Sequence, residues 1–189
     1  MSAAREITSS RVLRALSHPT RRRLLDALIV DGPSTVSGLA DRLHQAVGNV
    51  SHHLKVMHEA GLVVEAPERA RDHRERWWQR AATSFRWSET AFAGSESSAT
   101  LADAAALLNL EHQLGKVRTW MSESETAEPA WRDAAFATDF WLHLTPDELA
   151  ELSNDIVELA ERWELRTRDC DRGDRTPVFV FARGMPASP

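Results

Sequence analysis

Five residues in one short stretch, Gly48, Asn49, Ser51, His52 and Lys55, have side chains suited to reading nucleic acid. A helix that enters the major groove must carry short or hydrogen-bonding groups so that its backbone can approach base edges. Asn49 can pair with adenine, Ser51 and His52 can donate to bases or phosphates, and Lys55 suits a phosphate. The same five also describe the solvated face of any amphipathic helix, so the elements around them decide their meaning.

Apolar spacing predicts those elements. Val36, Leu39, Ala40 and Leu43, then Val47, Val50, Leu54 and Met57, follow helical periods with only a few residues between them, the pattern of a helix-turn-helix. Gly61 suits the left-handed residue beyond a helix, and Leu62 the apolar contact that accompanies it. Upstream, a helix carrying Ile7, Val12, Leu13 and Leu16 is interrupted by Ser17, His18 and Pro19. A second helix runs to about Val30, with Leu24, Leu25, Leu28 and Ile29 on one face, closed by Asp31, Gly32 and Pro33. Downstream, Leu62 to Glu65 and Glu75 to Arg80, with Trp77 and Trp78, favour two strands around a charged turn, a β wing. Arg69, Arg71, Arg74 and Arg76 surround that turn and could lie along a phosphate backbone, although Glu68, Asp72 and Glu75 interleave with them. Arg22, between Arg21 and Arg23, is a further candidate phosphate contact, and Asp26 a competing partner for that triplet.

Net charge is −5, which taken alone disfavours a polyanion binder. The average hides a division. Residues 1–82 hold 13 Lys and Arg against 9 Asp and Glu, whereas residues 83–189 hold 10 against 19. The first part can approach DNA while the second stays clear of it. A single cysteine, Cys170, excludes an internal disulfide framework, and its neighbours Asp169 and Asp171 oppose a nucleophilic thiolate. No apolar run approaches the ~20 residues of a membrane span, and the N-terminus lacks the apolar core of a signal peptide. A cytoplasmic protein is expected.

Gly94 to Ser98 reads as a linker. A long helix follows from Leu101 to Met121, in which Leu107, Leu110, Leu114, Val117 and Met121 recur at alternating spacings of three and four, the seam of a helix that packs on another. A partner chain is one supplier of that helix. Thr145 with Glu148 forms a capping box, with Pro146 at the first helical position, ahead of the stripe Leu149, Leu152, Ile156, Leu159 and Trp163. Val178 to Ala182 reads as a short strand. Five of seven tryptophans, Trp87, Trp120, Trp131, Trp141 and Trp163, lie beyond the wing. Core packing or dimer contact is the ordinary use of such residues, and an apolar effector pocket lined by Trp120, Trp131, Trp141 and Trp163 is the alternative.

The expected architecture is mainly α with a small β wing. A winged helix-turn-helix domain covers residues 1–82, a linker 83–98, and a helical dimerisation and carboxy-terminal region 99–189. The runs Leu16-Ser-His-Pro-Thr-Arg-Arg-Arg-Leu-Leu25 and Val50-Ser-His-His-Leu-Lys-Val-Met-His-Glu-Ala-Gly-Leu-Val63 resemble the ArsR-type winged helix regulators over about residues 7–82. The stretch Leu144-Thr-Pro-Asp-Glu-Leu149 is similar to the longer carboxy-terminal regions of some actinobacterial members. The resemblance implies a homodimer that pairs terminal helices, a recognition helix over Ala46 to Ala60, a wing over Val63 to Arg80, double-stranded DNA as partner, and repression relieved by a signal.

This chain departs from the metal-sensing members. The segment where their cysteine pair would fall has none, and Asp103 and His112 on the long helix do not reproduce their other site. His52, His53 and His58 spread over different faces of one helix, so neither a metal nor a cofactor is expected. An enzyme is disfavoured because no Gly-rich phosphate loop, GxSxG elbow or HExxH occurs. The competing function is a module that binds a small molecule or protein through its carboxy-terminal region, with DNA binding secondary.

Overall fold

A computed structural model describes residues 5–6, 10–70, 72, 75–82, 85–86, 96–168 and 175–188. Ile7, Arg71, Arg74, Trp87, Cys170 and most of the expected linker lie outside the described residues. The chain divides into two units, Met1–His112 and Gln113–Pro189, so the division falls inside the long helix and not in the Gly/Ser stretch.

In the first unit, β1 (Arg5–Glu6) precedes α1 (Ser10–Leu16) and α2 (Pro19–Val30). Pro19 opens α2 with its φ already helical, and the His18 Nδ1 accepts from the Thr20 N–H at 3.2 Å, capping a donor the helix cannot satisfy itself. Arg21 reaches back to the Arg14 and Ala15 carbonyls at the end of α1, placing a cation where the helix dipole is negative. β2 (Ser34–Thr35) leads into α3 (Val36–Leu43), whose first turn is capped by the Thr35 hydroxyl accepting from the Gly38 N–H at 3.1 Å. α4 (Val47–Glu59) follows, then β3 (Val63–Glu65), β4 (Trp77–Arg80) and β5 (Phe85–Arg86).

β3 and β4 pair antiparallel, Val63 opposite Arg80 and Glu65 opposite Trp78, and β2 joins the other edge of β4, giving the order β2-β4-β3. This is the winged helix. β1 and β5 make a separate parallel pair. Leu13, Leu24, Leu28, Leu39, Val50, Leu54, Met57, Leu62 and Val63 are fully buried in one cluster that joins α1 to α4 and the wing. Ala102 and Ala105 bring the first half of α5 (Glu96–Glu123) onto the same cluster, small side chains allowing close approach.

The passage from α4 to β3 turns at Gly61, whose φ is 71°. The Leu62 N–H donates to the Met57 carbonyl at 2.9 Å and the Gly61 N–H to the His58 carbonyl at 2.8 Å, so the helix end is satisfied only with residue 61 left-handed. Gly61→Ala is expected to cost about 1 kcal/mol in urea unfolding, and Gly61→Asn less, because Asn tolerates that region better.

The second unit holds the end of α5, α6 (Pro129–Ala134) and α7 (Pro146–Arg168). The capping box forms: the Thr145 N–H donates to Glu148 Oε2 at 2.7 Å and the Glu148 N–H to the Thr145 hydroxyl at 3.3 Å. The first of these bonds holds the Glu148 carboxyl below its ordinary pKa. Two expectations are corrected here. α5 begins at Glu96, inside the stretch read as linker, since Ser and Glu are as much helix-start residues as linker residues. Val178–Ala182 joins no sheet among the described residues. This segment is instead held by side chains: Lys116 Nζ stands 5.3 Å from the Phe179 ring centroid, Arg183 Nε donates to Gln113 Oε1 at 3.0 Å, and a Cβ on Gly184 would meet Leu149 at 2.9 Å.

Candidate nucleic-acid interface

α3 and α4 are joined by a turn that His44 makes possible. Its φ of 53° is left-handed, and its N–H closes α3 on the Ala40 and Asp41 carbonyls. The Gln45 N–H adds a bond to the Ala40 carbonyl at 2.9 Å. α4 then starts at Val47 with no side-chain cap on Ala46. Its inner face, Val50, His53, Leu54 and Met57, is buried, which turns Gly48, Asn49, Ser51, His52 and Lys55 outward, and all five are exposed. Asn49 Nδ2 donates to Gln45 Oε1 at 3.0 Å, which leaves the Asn carbonyl oxygen and second N–H for another partner. A Cβ on Gly48 would meet nothing within 4 Å, so the fold itself does not require glycine there.

The cations divide. Arg69 is exposed in a 3-10 turn (Pro67–Arg69) at the tip of the wing, where Asp72 Oδ1 accepts from the Glu75 N–H at 3.1 Å and helps close the loop. Arg76 stands 3.9 Å from Glu65, both well exposed. Arg22 is drawn inward: its Nε is buried with no hydrogen-bond partner among the described residues, and burial pushes its pKa down while Asp26 pushes it up. Of the three consecutive arginines, Arg21 is spent on α1 and only Arg23 is exposed.

The histidines of α4 also separate. His52 is outward, and His58 Nδ1 lies 3.1 Å from the Val63 carbonyl with its ring edge-on to Trp78. His53 is buried, its ring 4.6 Å from His18 and 5.6 Å from His52. Burial lowers the pKa of both His18 and His53. Arg21 adds to this for His18, and His18, Arg21 and His52 add to it for His53. This grouping was not foreseen from sequence; the position of His18 just before Pro19, at a helix cap, was its only signal. His112 is likewise engaged, with Nε2 2.9 Å from Asp26 Oδ2. Among the described residues, no group of three or more His, Cys, Asp or Glu is placed to hold a metal, and no helix is long and apolar enough to cross a membrane.

The four tryptophans weighed as a pocket are open to solvent. Trp120, Trp131, Trp141 and Trp163 are each more than a third exposed, and Trp163 is covered by the Arg166 guanidinium at 4.7 Å from its ring centroid.

Residues 16–66 match the model of a helix-turn-helix domain, the segment that contains α2, α3, α4 and β3. The chain is similar to the transcriptional repressor SdpR of Bacillus subtilis, 35% identical over 52 residues, which is 28% of this chain and 57% of that protein. It thus spans a little over half the length of that curated relative. Among solved structures it is similar to the homodimeric winged helix-turn-helix DNA-binding domain Mb0332 of Mycobacterium bovis, described as a possible ArsR-family transcriptional regulator. That likeness covers 60% of this chain and 83% of that one at 19% identity and a TM-score of 0.37. HlyU of Vibrio cholerae is similar at 19% identity, over 57% of this chain and 87% of that one, with a TM-score of 0.35. Scores this low carry no functional weight. The first unit is a winged helix-turn-helix by its element order and sheet, and the domain match spans its α2, α3 and α4.

Proposed function

We propose that the protein is a sequence-specific DNA-binding transcriptional regulator acting in the cytoplasm, a repressor that binds an inverted-repeat operator as a homodimer. The observation that carries this reading is the outward face of α4. Gly48, Asn49, Ser51, His52 and Lys55 are all exposed, none is used by the core, and at Gly48 the fold leaves open space that a close backbone approach to DNA would occupy. Arg69 at the wing, with Arg71 and Arg74 by sequence, adds sequence-independent phosphate affinity. Arg22 contributes only if it leaves its buried position. The name of the curated repressor supports repression as the outcome.

The apolar seam of α5 supports the dimer. Leu107 is 58%, Val117 38% and Met121 70% exposed, while Leu110 and Leu114 between them are partly covered, so part of the seam is open in the single chain. Two reading helices held in this way would address half-sites one helical turn apart.

Fluorescence anisotropy with the DNA upstream of the gene, against scrambled DNA over a salt series, tests the reading. Gly48→Ala is the informative variant. It should leave stability unchanged or raise it by up to about 1 kcal/mol, since alanine favours helix, while specific affinity falls at least tenfold. Ser51→Ala and His52→Ala should weaken specific binding only, and Arg69→Ala should weaken specific and scrambled DNA alike. Undiminished specific binding by Gly48→Ala and His52→Ala together would remove α4 as the reading helix.

A further inference from the structure

The second unit has helices, a capping box and many aromatic residues, but no core. Among its described residues none is buried, whereas the first unit buries a continuous cluster. The uncovered residues are apolar and large. Phe140 is 77% exposed and Trp141 68%, and the stripe of α7 is open at Ile156, Leu159 and Trp163. A segment of 77 residues that leaves such groups in water has no term to offset its chain entropy, so its folded form requires a covering surface.

The segment Val178–Ala182 indicates what kind of surface. Phe179 and Phe181 lie on one side with ring centroids 5.9 Å apart, and Phe179 meets Lys116 of α5. Val178 and Val180, on the other side, are 66% and 65% exposed. This is the alternation of a strand, in a segment that joins no sheet. A second apolar segment, Phe140 to Leu144, is exposed throughout and also joins no sheet among the described residues.

We propose that this unit is a self-association module whose apolar core and strand pairing form only between two copies of the chain, Val178–Ala182 of one copy pairing with Phe140–Leu144 of its partner. Three observations select a second copy as the occupant. The exposed large apolar side chains of the unit amount to roughly 1,800 Å² per chain, taking such side chains at about 150–250 Å² each when open. An obligate homodimer buries about 1,000–2,500 Å² per partner and an ordinary interface about 800 Å². The unit carries 9 Lys and Arg against 15 Asp and Glu, which excludes nucleic acid and anionic membranes as occupants; the like charge of two copies is a cost that their apolar area must exceed. The α5 seam of the proposed dimer also runs into this unit at Leu114, Val117 and Met121, so pairing there brings a second copy of the same unit alongside. A unit without its own core needs its partner whenever it is folded, and another copy is the partner made together with it.

The inference extends the proposed dimer but does not depend on DNA binding. Sedimentation and tryptophan emission of the full chain over a dilution series test it, with thermal unfolding and operator binding followed in parallel. The expected result is a dimer at micromolar concentration with blue-shifted emission that reddens on dilution as the dimer dissociates. Phe140→Glu with Val180→Glu should weaken the dimer at least 100-fold and redden the emission, while the unfolding transition of the first unit persists. Ile29→Ser, at an exposed apolar position of the first unit outside the α5 seam, should leave a dimer with blue-shifted emission. A monomer with red emission at 100 µM, or a dimer unchanged by Phe140→Glu with Val180→Glu, overturns the proposal; the former result assigns the surface to a different partner. Loss of operator binding with these readouts intact would count against the proposed function alone.

Discussion

Leu54→Ala is expected to lower the unfolding free energy of the first unit by about 3 kcal/mol and to weaken the proposed DNA binding. Leu54 is 0% exposed and stands on the inner face of α4, one residue from the outward Lys55. Its side chain belongs to the cluster that joins α4 to α2, α3 and the wing, so truncation removes its transfer energy and leaves a cavity that helices on three sides cannot collapse to fill. Domains of this size are stable by only about 5–15 kcal/mol, so the loss is a large share of the whole. Lys55→Ala, with no buried atoms to lose, should alter stability by no more than about 0.5 kcal/mol. Urea unfolding of the two variants checks the contrast, and comparable losses from both would mean that α4 is not seated as described.

Acidification should destabilise the same unit as pH falls from about 7.5 to 5. His53 is buried against His18, with Arg21 and His52 nearby, and both His18 and His53 have pKa values below the ordinary 6.5. The folded state therefore resists protons that the unfolded chain accepts. Stability is full above pH 6.5 and is lost as pH falls below it, through the lowered folded values. Each group contributes at most about 1.4 kcal/mol per pH unit, and solvent around the partly exposed His18 reduces its share. Thermal unfolding across this range checks the slope. His53→Leu should flatten it, and an unchanged slope would place the proton uptake elsewhere.

Much of the winged helix was legible because its determinants are periodic or positional. Val50, Leu54 and Met57 mark the inner face of α4, Gly61 ends it, and Thr145 with Glu148 announces α7. Other features depend on contacts between distant segments. β2 is two residues long and is defined only by its pairing with β4. His18 and His53 meet across 34 intervening positions, and no local pattern predicts a tilted ring contact. Arg22 reads as a surface cation beside Arg21 and Arg23, yet the helical turn at that point carries it inward. Val178–Ala182 has the composition of a strand, but a strand is completed by a neighbour, and its own chain supplies none among the described residues. The outward face of α4 was legible in full from sequence, since outward positions follow once the inward ones are known.

The open space around Gly48, and the exposure of Asn49, Ser51, His52 and Lys55, bear on how such a protein can diverge. Apart from the ring contact of His52 with His53, none of these positions is tied to the core, so most replacements there are close to neutral for stability. After gene duplication, two descendants could acquire different operators by drift along this face while inheriting the same scaffold unchanged. Target preference and foldability would then be separately heritable, and a change in regulatory wiring would need only a few substitutions on one helix.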